Sequence, residues 1–320
     1  MSGRRGFALL AVLGMLAGIS AVTLALAVAT RGAIAATARR HELTRAEWYA
    51  EACLAVARLA LDELTMTGGR DGRGPVPFDS LEARLHADAR VRSCPGQVRL
   101  SPVGSRLDMN LIDGSVLRRI LVGRRVQSGE ADSMVAAFLD WRDPDDTPRP
   151  HGCERECSLQ VSGARPRNGA FASTLELALV RGFAGASMAS RPPAAWSTIL
   201  TAEPGRVHLA SAPFEVLEVL PGVGPEGASR LVALSRSERW AVDELAAIGA
   251  YLGPFGRDSL RVRFGELARL ATARPDAWML SITTWGDPGG AESRAAPIRL
   301  EARLSIGGQG TRLVQRRILP

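Results

Sequence analysis

From Phe7 to Thr30 the chain carries no charged residue (FALLAVLGMLAGISAVTLALAVAT). A helix of roughly 20 apolar residues crosses a hydrocarbon layer ~30 Å thick, so this run is long enough to span a membrane. Arg4 and Arg5 precede it. Basic flanks stay on the cytoplasmic side, which places everything after Thr30 outside. Three fates fit the run: a cleaved secretory signal, with Ala27-Val28-Ala29 as the small-residue cleavage site; a plain anchor; or cleavage after the short basic leader, where Gly6 precedes Phe7 and the apolar run opens directly.

The residues behind the run favour its retention. From Arg31 to Leu64 there is no Pro, and Gly32 is the one Gly. Alanine and leucine dominate there, so helix propensity is high. Ala46, Tyr49, Ala50, Cys53, Ala57, Ala60, Leu61 and Leu64 recur at three- and four-residue steps and form one apolar stripe. A single helix from Phe7 to about Leu64 would be ~90 Å long. A short basic leader, a Gly–Phe junction and a helix embedded in front and packed behind resemble type IV pilins and pseudopilins. That resemblance implies cleavage by prepilin peptidase between Gly6 and Phe7. Most members have Glu at the fifth mature position, which is Ala11 here. Its absence is the mark of one subunit family, general secretion pathway protein K, which also carries a large helical insertion.

The rest of the chain meets that demand. Gly68 to Pro77 (GGRDGRGPVP) is rich in breakers and ends the helix. Phe78–Ala89 reads as a short helix, while Val98–Leu100 and Arg106–Met109 read as short strands. Helical patterns then run to about Leu270. Strand patterns return at Trp278–Trp285, Ile298–Ile306 and Arg312–Ile318, separated by turns at 287–290 and 307–310. The fold class is therefore α+β: a pilin-like long N-terminal helix packed on a small antiparallel sheet, with a large all-helical domain inserted between strands. The divisions are a leader 1–6, a transmembrane helix 7–30, its amphipathic continuation 31–66, an α/β domain 67–110 plus 271–320, and an insertion 111–270. Within the insertion, SMVAAFLDWRDPDD followed by TPRP, NGAFASTLELALVRG and VHLASAPFEVLEVLPGVG resemble, in order and spacing, the middle of the protein K family. With the leader and helix, the resemblance covers most of the chain. It implies a minor pseudopilin at the tip of a type II secretion pseudopilus, single-pass in the inner membrane with its globular part periplasmic. The partners it implies are prepilin peptidase and the other minor pseudopilins.

Net charge is +7, which raises the question of a nucleic-acid partner. Most of the excess sits in residues 1–45, beside the apolar run. LPGVGPEGASRLV does resemble a helix-hairpin-helix, whose Gly222 and Gly224 amides suit an anion. The alternative function is thus an exported DNA-binding protein of that kind. However, Val207–Leu270 contains seven Arg against eight acids, and phosphate contacts need a local basic excess. No nucleic acid is expected.

Asp140, Asp143, Asp145 and Asp146 fall within seven residues, broken by Pro144 and closed by Pro148. Such a loop suits the all-oxygen shell of Ca²⁺, although it lacks EF-hand spacing. Spacing alone favours a solvated turn with Asp side chains bonding local backbone. The resemblance implies structural calcium, with Glu154 and Glu156 completing the shell. Cys53, Cys94, Cys153 and Cys157 permit two disulfides in three connectivities in an exported chain. Cys153 with Cys157 closes a small loop and leaves Cys53 for Cys94. Four free thiols, or zinc at His151, Cys153 and Cys157, are the competing readings. His41, His86, His151 and His208 are scattered, and neither HExxH nor GxSxG occurs. With no Lys, a P-loop is impossible. No enzyme is expected.

Overall fold

The computed structural model describes residues 3–70, 78–163, 165–183, 196–237, 242, 244–286, 296–307 and 310–319 of the 320-residue chain. The chain forms two compact units. The first comprises Met1–Leu100, Leu280–Arg303 and Gly307–Pro320; the second comprises Ser101–Met279 with Leu304–Ile306. The strands in chain order are β1 (Gly96–Pro102), β2 (Leu107–Asp108), β3 (Leu200–Thr201), β4 (Val207–His208), β5 (Ala271–Thr272), β6 (Trp278–Thr284), β7 (Ile298–Gly307) and β8 (Gly310–Leu319).

The first unit is built on α1 (Gly3–Arg70), a 68-residue helix without a proline, about 100 Å long at the usual rise per residue. It extends beyond the expected end at Leu64 and includes Gly68 and Gly69; the remainder of the breaker-rich stretch, 71–77, lies outside the described residues. Val12, Leu13, Leu16, Ile19, Val22, Leu24 and Leu26 are all exposed on its front half. The hydroxyls of Thr23 and Thr30 in that half donate to Ile19 and Leu26 carbonyls at 3.0 and 2.9 Å. They are thereby satisfied within the helix and need no water. This is a helix long and apolar enough to cross a membrane.

The back half is different. Ala46, Ala50, Cys53, Leu54, Ala57, Ala60 and Leu61 are buried, whereas Tyr49 and Leu64 are half-buried. The stripe is therefore narrower than the sequence pattern suggests. Helices α2 (Phe78–Ala87) and α3 (Ala89–Arg92) and strand β8 pack on α1, and Leu81, Leu85, Val91, Val98, Leu100, Leu280, Ile282, Leu300 and Ala302 are further buried residues of this unit. The sheet order is β1-β6-β7-β8. Sheet neighbours β7 and β8 are separated by two residues, a link only an antiparallel pair allows. Buried and half-buried residues alternate along β6, as a strand with one face on a core requires. Polar contacts fix α1 in place: Thr284 Oγ1 donates to the Ala46 carbonyl at 2.8 Å, Thr311 N donates to Asp62, and Arg316 pairs with Glu51 at 2.6 Å. The expected turns at 287–290 and 308–309 lie outside the described residues.

The second unit is the segment between β1 and β6. Its helices include α4 (Gly114–Gly123), α5 (Ser128–Arg142) and α6 (Arg155–Ser162). Asp113 starts α4 by accepting from Ser115 N and Val116 N at 2.9 and 3.0 Å, an N-cap that satisfies otherwise unpaired amides. Val116, Leu117, Ile120 and Leu121 of α4 enter a core with Met134, Ala137, Phe138 and Trp141 of α5. Phe138 stacks on Phe171 at 4.8 Å, and Phe183 meets Trp196 edge-on at 5.4 Å.

This unit corrects the expectation of an all-helical insertion. Two small parallel ladders run through it: β2 with β3, in register Leu107 to Leu200, and β4 with β5, in register Val207 to Ala271. The expected strand Arg106–Met109 is thus a two-residue element that pairs inside the insertion. Its partner lies about 90 residues away in sequence, which no local pattern reveals. The unit boundaries also fall at 100/101 and 279/280, against the expected 110/111 and 270/271.

His208 on β4 is 5% exposed, with Nδ1 3.0 Å from Ser211 Oγ. Burial pushes its pKa down to about 4 from 6.5. The folded chain keeps this imidazole neutral, while the unfolded chain protonates it below 6.5. Its contribution to stability is therefore complete above pH 6.5 and is lost as pH falls toward 4, by about 3 kcal/mol at 1.36 kcal/mol per unit. In urea titrations at pH 7.5 and 4.5, His208→Leu is expected to lose less stability between the two values than the parent chain, by about that amount.

Candidate metal site at the end of helix α5

Asp140 lies in the last turn of α5, fully buried beside Trp141. Burial of a carboxylate requires compensation, and three donors supply it. Cys153 N donates at 2.7 Å, Arg149 N at 3.3 Å, and Arg149 Nη1 at 2.8 Å. Arg149 Nη1 also pairs with Asp143. The loop folds back this closely only because residue 152 is glycine: a Cβ there would stand 1.9 Å from Asp140 Oδ2. Cys153 and Cys157 are joined by a disulfide across the first turn of α6, which fixes the residue between them that matters most, Glu154.

Glu154 is 6% exposed, and neither of its carboxylate oxygens has a hydrogen-bond partner. Asp143 Oδ1 is likewise buried without a partner. One oxygen each from Asp140, Asp143 and Glu154 lies within 4.8 Å of the others. Burial first, then the charges of Asp140, Asp143, Asp146 and Asp145, push the Glu154 pKa up to about 7. Three carboxylates face one guanidinium here, and three of their buried oxygens are unpaired. Hard oxygen donors with excess negative charge suit a divalent cation such as Ca²⁺, and the orphaned oxygens of Glu154 are the observation that separates this cluster from an ordinary acidic turn.

The six acids singled out in the sequence divide accordingly. Asp140, Asp143 and Glu154 come together. Asp146 and Glu156 line an open depression with Glu154, Pro148, Gly152, Arg155 and Cys157. Asp146 Oδ1 accepts from Asn168 Nδ2 at 2.9 Å, and Asp145 Oδ1 accepts from Thr147 N at 2.8 Å. Asp145 is therefore a turn-former, as the solvated-turn reading has it. Sequence reasoning missed Arg149, Gly152 and Asn168. The string DPDDTPRPHG contains the first two, but nothing local says that Arg149 turns inward.

The remaining candidates fall elsewhere. Gly6, Phe7 and Ala11 lie in α1, and their side chains are outside the described set. Cys53 and Cys94 are free thiols; the structure joins Cys153 to Cys157 but not these two. The helix-hairpin-helix is formed, with Gly222 and Gly224 at φ of 82° and 65° before the helix Gly224–Arg236. Nearby arginines are engaged with the protein: Arg230 with Glu226 at 2.6 Å, Arg263 with Glu266 at 2.7 Å, and Arg119 Nε with the Val219 carbonyl at 3.1 Å. Glu218 and Glu226 border the same hollow, so the hairpin lacks the basic surplus that phosphate binding needs. His208 and Ser211 touch within one turn, where Ser211 Oγ also donates to the His208 carbonyl at 3.3 Å. That is a local turn, not a nucleophile and base.

Residues 105–194 match the family model of type II secretion system protein K. No curated protein sequence matches the chain. Among solved structures it resembles a chain of the GspK-GspI-GspJ complex from the type 2 secretion system of enterotoxigenic Escherichia coli. That likeness has 13% identity and a TM-score of 0.57, over 89% of this chain and 99% of that one. It establishes a shared α+β architecture.

The packing around Gly152 makes a direct test. Gly152→Ala is expected to displace Asp140 from its three donors and lower unfolding free energy in urea by about 1–3 kcal/mol, as overpacking does. The same substitution at exposed Gly129, which meets nothing within 4 Å, is expected to cost none of this.

Proposed function

We propose that this chain belongs to the protein K family of the type II secretion system, the minor pseudopilins, and that it stands at the tip of the pseudopilus. In this reading its two globular units lie in the periplasm and α1 is anchored in the inner membrane. The observation that carries the reading is α1 itself. One helix presents bare apolar side chains along its front and a packed stripe behind, so the same element serves as membrane anchor and as spine of the first unit. A cleaved signal sequence would have no reason to continue into the core. Cleavage between Gly6 and Phe7 would free an N-terminal amine at the head of that helix. Ala11 supplies no carboxylate to compensate the amine of a neighbouring subunit, and an unpaired charge in lipid is costly. A subunit without that carboxylate suits the end of the filament. The large insertion Ser101–Met279 between neighbouring strands β1 and β6 gives it the bulk of a cap.

The role is structural, with no catalysis. The partners in this reading are other minor pseudopilins, the class represented by the companions of the solved relative. Purified with the cognate minor pseudopilins of its own system, the chain is expected to elute with them as one stable complex in gel filtration. Elution apart from all of them would contradict the reading.

A structural calcium ion belongs to the same proposal. Asp140, Asp143 and Glu154 would hold it, with Asp146 and Glu156 at the margin. The ion would supply the positive charge that Arg149 only partly provides, and would offset the burial and the like charge that raise the Glu154 pKa. Calcium is expected to raise the melting temperature by several degrees at saturating concentration, since a ligand that binds only the folded state stabilises it. Glu154→Gln is expected to abolish that rise while leaving the calcium-free chain as stable as its parent or more so. An unchanged calcium response in this variant would move the ion elsewhere.

A further inference from the structure

Cys53 and Cys94 are the two cysteines outside the Cys153–Cys157 bridge. Cys53 lies fully buried in the middle of the α1 stripe, between Ala50 and Ala57. Cys94 follows α3 at the turn into β1 and is half-buried. Helix α3, which ends just before Cys94, packs on α1, and burial first, then the neighbouring Cys94 thiol, pushes the Cys53 pKa up. The turn that carries Cys94 is fixed by its own backbone. Cys94 N donates to the Val91 carbonyl at 3.1 Å, and Gly96 N donates to the Cys94 carbonyl at 2.8 Å. Arg90, in the same turn, grips Glu63 of α1 through two hydrogen bonds at 3.0 and 2.6 Å.

The seam that this pair crosses is made of small side chains. Ala46, Ala50, Ala57 and Ala60 bury little apolar area each, and the stabilisation from burial scales with that area. Around Cys53 the buried face of α1 is therefore held mainly by small side chains, with Leu54 as the one large buried neighbour. A metal is the other use for paired thiols, but the grouping of ligating side chains among the described residues is at Asp140, Asp143 and Glu154, not here.

We propose that Cys53 and Cys94 form a second disulfide in the exported chain, fastening α1 to the turn between α3 and β1. The inference rests on the reading that the globular units lie in an oxidising compartment. The reaction is thiol–disulfide exchange with a disulfide-bearing oxidant. The Cys94 thiolate, the more accessible of the two, attacks one sulfur of the oxidant and displaces the other as a thiolate. The Cys53 thiolate then attacks the Cys94 sulfur of the mixed disulfide and releases the second thiolate of the oxidant. Two cysteine thiols lose two electrons and two protons in total, and the oxidant is reduced to two thiols. Because folding buries Cys53 and disfavours its thiolate, the exchange belongs to the folding chain; a chain folded in the reduced state would react slowly.

The test is peptide mapping of the full chain made in the periplasm, digested without reductant after the free thiols have been blocked in denaturant. The expected result is a peptide pair linked through Cys53 and Cys94, alongside the Cys153–Cys157 loop, with no blocked cysteine. If Cys153 and Cys157 are joined while Cys53 and Cys94 are both blocked, the export reading stands and this inference fails. If all four are blocked, the export reading fails with it. A link between Cys53 and either of the other two cysteines also overturns the inference. As an independent readout, Cys94→Ala, a change at a half-buried site, is expected to melt roughly 5–10 °C below the oxidised parent, in line with closing a loop of about 40 residues. Equal melting temperatures would count against the bond.

Discussion

Everything in the first unit depends on one helix whose two halves suit two different solvents. The front of α1 exposes Val, Leu and Ile all round, which water penalises and lipid does not. Its back half must instead shed one face only, and does so with a stripe of alanines, Cys53, Leu54 and Leu61. Small residues let the sheet and α3 approach closely, but each contributes little. Directed contacts supply the difference: Thr284 to the Ala46 carbonyl, Arg316 to Glu51 and Arg90 to Glu63. A helix spanning both environments needs no break between them, and among residues 3–70 there is neither a proline nor an interruption.

The second unit poses a different problem, that of placing carboxylates where water is scarce. Asp140 is handled by two backbone amides and Arg149. Asp145 is handled by its own turn. Glu154 is left over: buried by the Cys153–Cys157 loop, surrounded by like charge, and held toward neutrality by both. Native structures rarely leave two buried oxygens of one carboxylate unpaired. This residue, more than the number of aspartates, is why the loop reads as a cation site. The hairpin at Gly222–Gly224 is the contrasting case, since its geometry is suited to an anion but its charges already answer one another.

The sequence was most legible where periodicity and breakers act locally. The long helix, β1, β6, β7 and β8, and the insertion between β1 and β6 all follow from such signals. Legibility ended where partners are distant. Leu107 and Asp108 look like part of a strand in the main sheet, yet they pair with Leu200 and Thr201 in a ladder of two residues. The helix outran its expected end because Gly68 and Gly69 weaken a helix without terminating it. In the acidic loop the spacing identified the residues but not their roles. Glu156 is exposed and Asp145 caps a turn, while Arg149 and Gly152, which shape the site, carried no signal of their own. Pairing of cysteines was legible for the close pair and open for the distant one.

Whether the apolar half of α1 remains part of the mature protein separates a pseudopilin from an ordinary exported chain. The most direct measurement is the intact mass of the chain after co-expression with its cognate prepilin peptidase. A product beginning at Phe7 is predicted, with α1 joined to the first unit. A product beginning near Thr30 would contradict the account, because α1 would then have lost its membrane half to ordinary export.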